Sequence, residues 1–445
     1  MKRFLYLFIV LTIVVLTACD STSSSSTTRS SVAQLTAFAF ANDTKRPALS
    51  KAVFTVEERV DTGLVWNRDS IQYGTSLDTV IPRFTFAATP GAAFVRTPDT
   101  LCVLTGNDTL NFSKQPIYLT IRSADSKTLK TYEIKASVHQ VDPDLYAWEQ
   151  IADSIYPQDD SEQKVVSLNN NFVMIKSNGF ELNAYESEDG EDWVDLGEPE
   201  GLPIGTRVRQ IISSGDTLYY GDGKNIYTSP DAIEWTAHSV NYTVQTMVLY
   251  WNKEVWALVD NSYQELAIWK KGSLKLTGLK AFNDVFPISD FATVCFNSAS
   301  ERERAMIIGG FAENGRSLNT RWNLEYSPHI PENGGYRMEE YSIDRPQFTS
   351  LTGASVIWYN NQLMMFGGVN ADMNYFGRDI LISKDEGLNW VIADTVKNRL
   401  PEVYHARQKQ NTIVRDNNIY LFGGQDATRT YSDVYKGRLN SIGWK

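Results

Sequence analysis

A short apolar strand that closes on a glycine pair recurs three times near the C-terminal end of this 445-residue chain. The copies read Met306-Ile-Ile-Gly-Gly310, Met364-Met-Phe-Gly-Gly368 and Tyr420-Leu-Phe-Gly-Gly424. Weaker relatives precede them at Phe172-Val-Met-Ile175, Leu218-Tyr-Tyr-Gly221 and Val255-Trp-Ala-Leu258. The six starts lie roughly fifty residues apart, the spacing of four-stranded propeller blades. Glycine pairs let a chain leave a strand at φ > 0 where side chains would crowd a ring centre. A propeller is a scaffold and names no activity.

The first nineteen residues read as a targeting segment. Lys2 and Arg3 are followed by an apolar run from Phe4 to Leu16, shorter than the roughly twenty residues a spanning helix needs. The run ends in Leu16-Thr-Ala-Cys19, which resembles the bacterial lipobox, so residues 1–18 are expected to be removed and Cys19 lipidated. Several acyl chains on one cysteine anchor a protein stably where a single chain is marginal. Residues 19–32, rich in Ser and Thr, cannot bury apolar area and read as a tether. The expected location is the cell envelope, at the outer membrane, facing either the periplasm or the outside.

Residues 33–141 alternate with a period of two over about seven short strands, clearest in Ile117, Leu119 and Ile121, answered by Tyr132, Ile134, Ala136 and Val138. That pattern predicts an immunoglobulin-like β-sandwich. Asp142-Pro-Asp144 marks the hinge, and residues 142–445 are expected to form a six-bladed propeller. The fold class is thus all-β, an immunoglobulin-like sandwich followed by a six-bladed β-propeller. The strand at 146–151 is expected to serve as the outer strand of the C-terminal blade, which protects an otherwise open sheet edge; the alternative is that Ser441–Lys445 completes that blade itself.

Two further patterns overlie the repeats. Ser383-Lys-Asp385-Glu-Gly387-Leu-Asn-Trp390 matches the sialidase-type Asp box, and Ser187–Trp193 and Ser229–Trp235 are versions one residue shorter. These residues build a hairpin turn: Asp accepts backbone N–H bonds, Gly takes φ > 0 and Trp packs between blades. Ser383, Asp385, Gly387 and Trp390 therefore read as structural. Ile419–Gly424 with Tyr431–Tyr435 is kelch-like. Over nearly all of its length after residue 33, the chain resembles a family of uncharacterised lipoproteins of gut Bacteroidota. That resemblance rests on Leu35–Phe40, Asp69–Gly74, Ile117–Val138 and His139–Pro143, and it brings no known activity.

A formal charge of −11 leaves no basic surface for nucleic acid. Cys102 and Cys295 fall in different predicted domains and read as small buried apolar residues, with no bridge between them. No metal-ligand spacing is present, and no metal or cofactor is expected. Loops after the glycine pairs carry the candidate ligand-binding residues Arg316, Tyr375, Phe376, Arg378, Arg429 and Tyr431; Arg345 and Arg407 are expected nearby. The leading expectation is a non-catalytic, lipid-anchored envelope protein that binds a glycan or a partner protein. The alternative is a carbohydrate-active enzyme, either a sialidase-like glycosidase or a sugar mutarotase. Against the sialidase stands the missing Arg-Ile-Pro motif, since Ile81-Pro-Arg83 is reversed and in the wrong domain. Metabolic labelling with an alkyne palmitate should mark the chain and fail with Cys19→Ala; equal labelling of both would disprove the anchor.

Overall fold

The computed structural model describes residues 29–444 apart from 157–160, 262, 271, 282–283, 299, 301 and 343–350. Residues 1–18, expected from the sequence to be a signal segment, and Cys19 lie outside the described residues, as does Arg345. The chain divides into two compact units, one ending at Asp142 and the other spanning Pro143–Lys445.

Eight strands are described in the first unit, one more than the spacing of alternating segments suggests. They are β1 (Leu35–Phe40), β2 (Phe54–Glu57), β3 (Thr62–Asn67), β4 (Pro82–Phe86), β5 (Ala92–Arg96), β6 (Leu101–Val103), β7 (Ile117–Arg122) and β8 (Leu129–Lys135). A six-stranded sheet runs β2-β3-β8-β7-β5-β6 beside a two-stranded sheet β1-β4, and β3–β8 is a parallel pair. The β7–β8 hairpin pairs Leu119 with Tyr132 and Ile117 with Ile134, all buried, so the period-two pattern is realised residue by residue. Phe38 and Phe40 of β1 pack edge-on against Phe54.

The second unit opens with β9 (Tyr146–Ala152), whose partners lie at the far end of the sequence. A four-stranded sheet follows: β10 (Glu162–Leu168), β11 (Asn171–Ser177), β12 (Leu182–Ser187) and β13 (Val194–Gly197). Next comes a six-stranded sheet of β14 (Ile212–Ser213), β15 (Leu218–Ser229), β16 (Thr236–Trp251), β17 (Glu254–Asp260), β18 (Gln264–Lys270) and β19 (Ser273–Lys280). Two more four-stranded sheets are β20 (Ala292–Asn297) to β23 (Tyr336–Ser342), through β21 (Glu303–Ile308) and β22 (Thr320–Tyr326), and β24 (Ser355–Tyr359), β25 (Gln362–Phe366), β26 (Leu381–Ser383) and β27 (Val391–Ile392). The last is β28 (Asn411–Arg415), β29 (Asn418–Gln425) and β30 (Thr430–Leu439), completed by β9.

The sheets are arranged as a ring. Going round it, β10 neighbours β14, β14 neighbours β16, then β20, β24 and β28 follow, and β28 returns to β10. Apolar cores sit between successive sheets. Met306, Leu363 and Trp390 share one, Phe366, Leu421 and Tyr435 another, and Phe172, Phe422 and Val434 seal the last sheet to the first. Each glycine pair lies at the end of the second strand of its sheet, at positive φ throughout: 62° and 89°, 57° and 92°, 48° and 107°. A Cβ on Gly309 would sit 2.0 Å from the Leu351 carbonyl and one on Gly367 2.6 Å from that of Arg407, so each pair lets its sheet press against the inlet of the next.

The Ser383–Trp390 turn joins β26 to β27. Gly387 N–H donates to Ser383 Oγ at 2.8 Å, Asn389 N–H to Asp385 Oδ1 at 2.8 Å, and Gly387 lies at φ 83°. Trp390 is buried between its own sheet and the preceding one. Burial opposes the charge on Asp385, but hydrogen bonds from Asn389 and Ser383 hold its carboxyl below the usual range. The shorter Ser187 and Ser229 turns repeat this geometry, each with an indole N–H donating back across the turn at 3.0 Å, to the Gly190 and Ala232 carbonyls.

One reading needs correction. Cys295 is exposed, because Ala292, Val294 and Phe296 take the core face of β20 and leave Cys295 on the other. Cys102 is half-buried against the core of the first unit, and both thiols are free.

Closure depends on a glycine. Gly437 of β30 lies opposite Trp148 of β9, and a Cβ there would meet the indole at 2.2 Å. Gly437→Val should lower stability by about 1–3 kcal/mol through overpacking, and Trp148→Ala added to it should recover part of the loss. Unfolding both variants in urea checks this.

Candidate functional site

The loops that enter the first strands of the sheets converge at the ring centre. Asp290 enters β20, Gly353 enters β24 and Lys409 enters β28, all three at positive φ (49°, 65° and 61°). Backbone bonds lace these inlets together: Gly353 N–H donates to the Asp290 carbonyl at 2.8 Å and Lys409 N–H to the Gly353 carbonyl at 2.6 Å. Left-handed backbone suits glycine and costs a charged side chain of order 1 kcal/mol or more. Asp290 and Lys409 nonetheless occupy two of the three places, and their side chains meet at the centre.

Arg209, from the 3-10 turn Val208–Gln210, bonds Asp290 Oδ1 through Nε at 3.1 Å and the Lys409 carbonyl through Nη1 at 2.7 Å. Lys409 Nζ lies 3.0 Å from Glu162 Oε1 on β10 and 3.9 Å from Asp290 Oδ2. These groups rim a cavity of about 170 Å³, lined also by Lys164, Gln210, Thr246, Phe291 and Thr293. Burial is the main cause that brings the Lys164 ammonium down to about 7, and the nearby Arg209 guanidinium adds to it while Asp290 opposes. Gln210 is 7% exposed, and neither its Oε1 nor its Nε2 has a hydrogen-bond partner. Such a group costs roughly 1–3 kcal/mol unless something fills its valences.

The residues singled out from the sequence are spread around other parts of the ring. Arg316 is exposed and donates to the Asp284 carbonyl. Arg378 Nε donates to the Leu400 carbonyl at 2.9 Å, and Phe376 packs on the core that holds Trp390. Tyr375 is half-buried with its hydroxyl unbonded; burial, then Asp426, pushes that hydroxyl up. Among the described candidates, Arg407, Arg429 and Tyr431 come together. Arg407 is 1% exposed, held by Asp433 through Nη2 at 3.0 Å and lying 3.7 Å from the Tyr431 ring centre. Burial is the largest single influence and works against its charge, but the Asp433 hydrogen bond together with the nearby Tyr404, Asp433 and Tyr435 holds the guanidinium above its ordinary range. A guanidinium so enclosed braces the last sheet; Arg429, 4.5 Å from the Tyr431 ring, stays exposed.

Glu162, Lys164, Arg209, Gln210, Asp290 and Lys409 were not picked out by sequence. They precede or begin first strands, whereas attention to the glycine pairs leads to the loops after second strands. The available signal was a charged residue two positions before the first strand at Asp290 and Lys409.

Residues 142–445 match the DUF6242 beta propeller domain, about two-thirds of the chain. The chain belongs to the DUF6242 family. Residues 21–136 match the DUF6242 N-terminal domain, a domain of unknown function. No curated protein matches the chain. Among solved structures, that of YjhT is similar at 13% identity over 64% of this chain and 96% of that chain, with a TM-score of 0.46. The C-terminal unit of this DUF6242 protein is accordingly a β-propeller, and the cavity lies where its inlets meet.

Lys164 gives a stability test. Its native titration point is below that of the unfolded chain, near 10.4, so the unfolded state binds more protons between about pH 7 and 10 and stability rises with pH there. Lys164→Met should therefore stabilise by up to roughly 4 kcal/mol below pH 7, at about 1.4 kcal/mol per pH unit of depression, with the gain gone by about pH 10. Denaturant melts at pH 6, 8 and 10 read this; a gain independent of pH would contradict it.

Proposed function

We propose that this DUF6242 protein is a lipid-anchored, non-catalytic protein of the Bacteroidota cell envelope whose six-bladed propeller binds a glycan at the central cavity. Anchoring is supported by Leu16–Cys19 and the Ser/Thr-rich stretch after it. The blade count is supported by the long strands β15 and β16. Each pairs with one neighbour through its first part and another through its second, as two four-stranded sheets would when fused edge to edge. An immunoglobulin-like first unit is supported by its two sheets and the alternation along β7 and β8.

The observation that carries the binding reading is Gln210, buried at the cavity with donor and acceptor both unused. Sugar hydroxyls donate and accept at once, so one ring satisfies the amide. The cavity is below the roughly 300–1,000 Å³ of drug-sized sites, a size suited to one terminal residue of a longer polymer and too narrow for a protein surface. Catalysis is disfavoured because the central carboxylates are engaged, Glu162 with Lys409 and Asp290 with Arg209 and Lys409. Glycoside hydrolysis needs a free acid and base.

A glycan array probed with the full chain in detergent tests this. Binding should fall at least ten-fold with Gln210→Ala, with thermal stability not reduced, since that side-chain amide has no hydrogen-bond partner to lose. Binding indifferent to Gln210→Ala would reject the cavity as the site.

A further inference from the structure

The polar groups around the cavity do not balance. Six charged side chains face it or edge it: Glu162 and Lys164 from β10, Arg207 and Arg209 from the turn before β14, Asp290 from the β20 inlet and Lys409 from the β28 inlet. Arg207 leans outward, 3.5 Å from Asp222. Arg209 and Lys409 share Asp290, and Lys409 also takes Glu162. Lys164 is left over. Its ammonium makes no hydrogen bond or ion pair among the described residues, although it is only partly exposed. A cation withdrawn from water without an anion is costly, and Arg209 nearby adds repulsion. The second unsatisfied donor in the same cavity is Gln210 Nε2, on a side chain more than nine-tenths buried.

We infer that the cavity recognises a carboxylate, carried by a sugar acid and received by Lys164 Nζ and Gln210 Nε2. This rests on the reading of the cavity as the glycan site and adds the chemical class of its ligand. A carboxylate is acceptor-only and offers two oxygens, one for each vacant donor, while a ring hydroxyl donates to Gln210 Oε1. Charge-assisted bonds of this kind are roughly twice as strong as neutral ones. The carboxylate also supplies the missing counter-charge, so the complex holds a proton on Lys164 that the free protein partly releases above neutral pH. Asp290 lies near enough to favour the ammonium electrostatically but is already paired with Arg209 and Lys409, and Glu162 is paired with Lys409.

Isothermal titration of the full chain with methyl β-glucuronide, methyl β-glucoside and acetate separates the cases. The glucuronide should bind at least ten-fold more tightly than the glucoside at pH 7. Lys164→Met should remove that preference, and Lys164→Arg should retain most of it. At pH 8, titrations in buffers of different ionisation enthalpy should show uptake approaching one proton per glucuronide, absent in Lys164→Met. Equal affinity for acid and neutral sugar, both lost in Gln210→Ala, would overturn the carboxylate while leaving the glycan site intact. Acetate binding as tightly as the glucuronide would overturn the sugar acid in favour of a free small acid. No binding of acidic or neutral sugars, here or on the array, would overturn both.

Discussion

Everything in the propeller depends on the pairing of β9 with β30. The two strands lie at opposite ends of the unit and run antiparallel from Val434–Ala152 to Leu439–Tyr146. Without that pairing the last sheet would expose a flat edge on β30, with strand donors and acceptors open to other chains. Tyr146 ties the joint further, its hydroxyl accepting from Gln362 Nε2 at 3.3 Å and its N–H donating to the Lys397 carbonyl at 2.9 Å. Once the ring is closed, each first strand has a neighbour on both sides and the inlets have nowhere to go but inward.

The central cluster follows from this constraint. Its members come from β10, the turn before β14 and the inlets of β20 and β28, separated by tens to hundreds of residues in sequence. Left-handed backbone at Asp290 and Lys409 is kept although Gly353 shows that the same place accepts glycine. The gain is the net of ion pairs joining four sheets. Arg407 does comparable work further out, where Asp433 and three tyrosines enclose its guanidinium. Removing one partner of such a buried pair typically costs about 3–5 kcal/mol, which fits a brace better than a ligand contact.

Features set by local chemistry were legible in the sequence. The glycine pairs, the Ser-Asp-Trp turns and the β7–β8 alternation each depend on residues within a few positions of one another, and the structure places them accordingly. The cavity was not legible, because Lys164, Gln210 and Asp290 carry no shared motif and acquire meaning only when the ring brings them together. Arg407 misled for the same reason: its charge suggested a ligand, while its partner Asp433 is twenty-six residues away. Cys295 could have been read correctly, since Val294 and Phe296 already claim the core face of that strand.

Hydrogen–deuterium exchange across β9 tests ring closure most directly. The amides of Tyr146–Ala152 should be protected to the same degree as those of Tyr420–Phe422 in the sheet they complete. Exchange of that segment within seconds, with Tyr420–Phe422 still protected, would show an open ring and remove the basis for a central cavity.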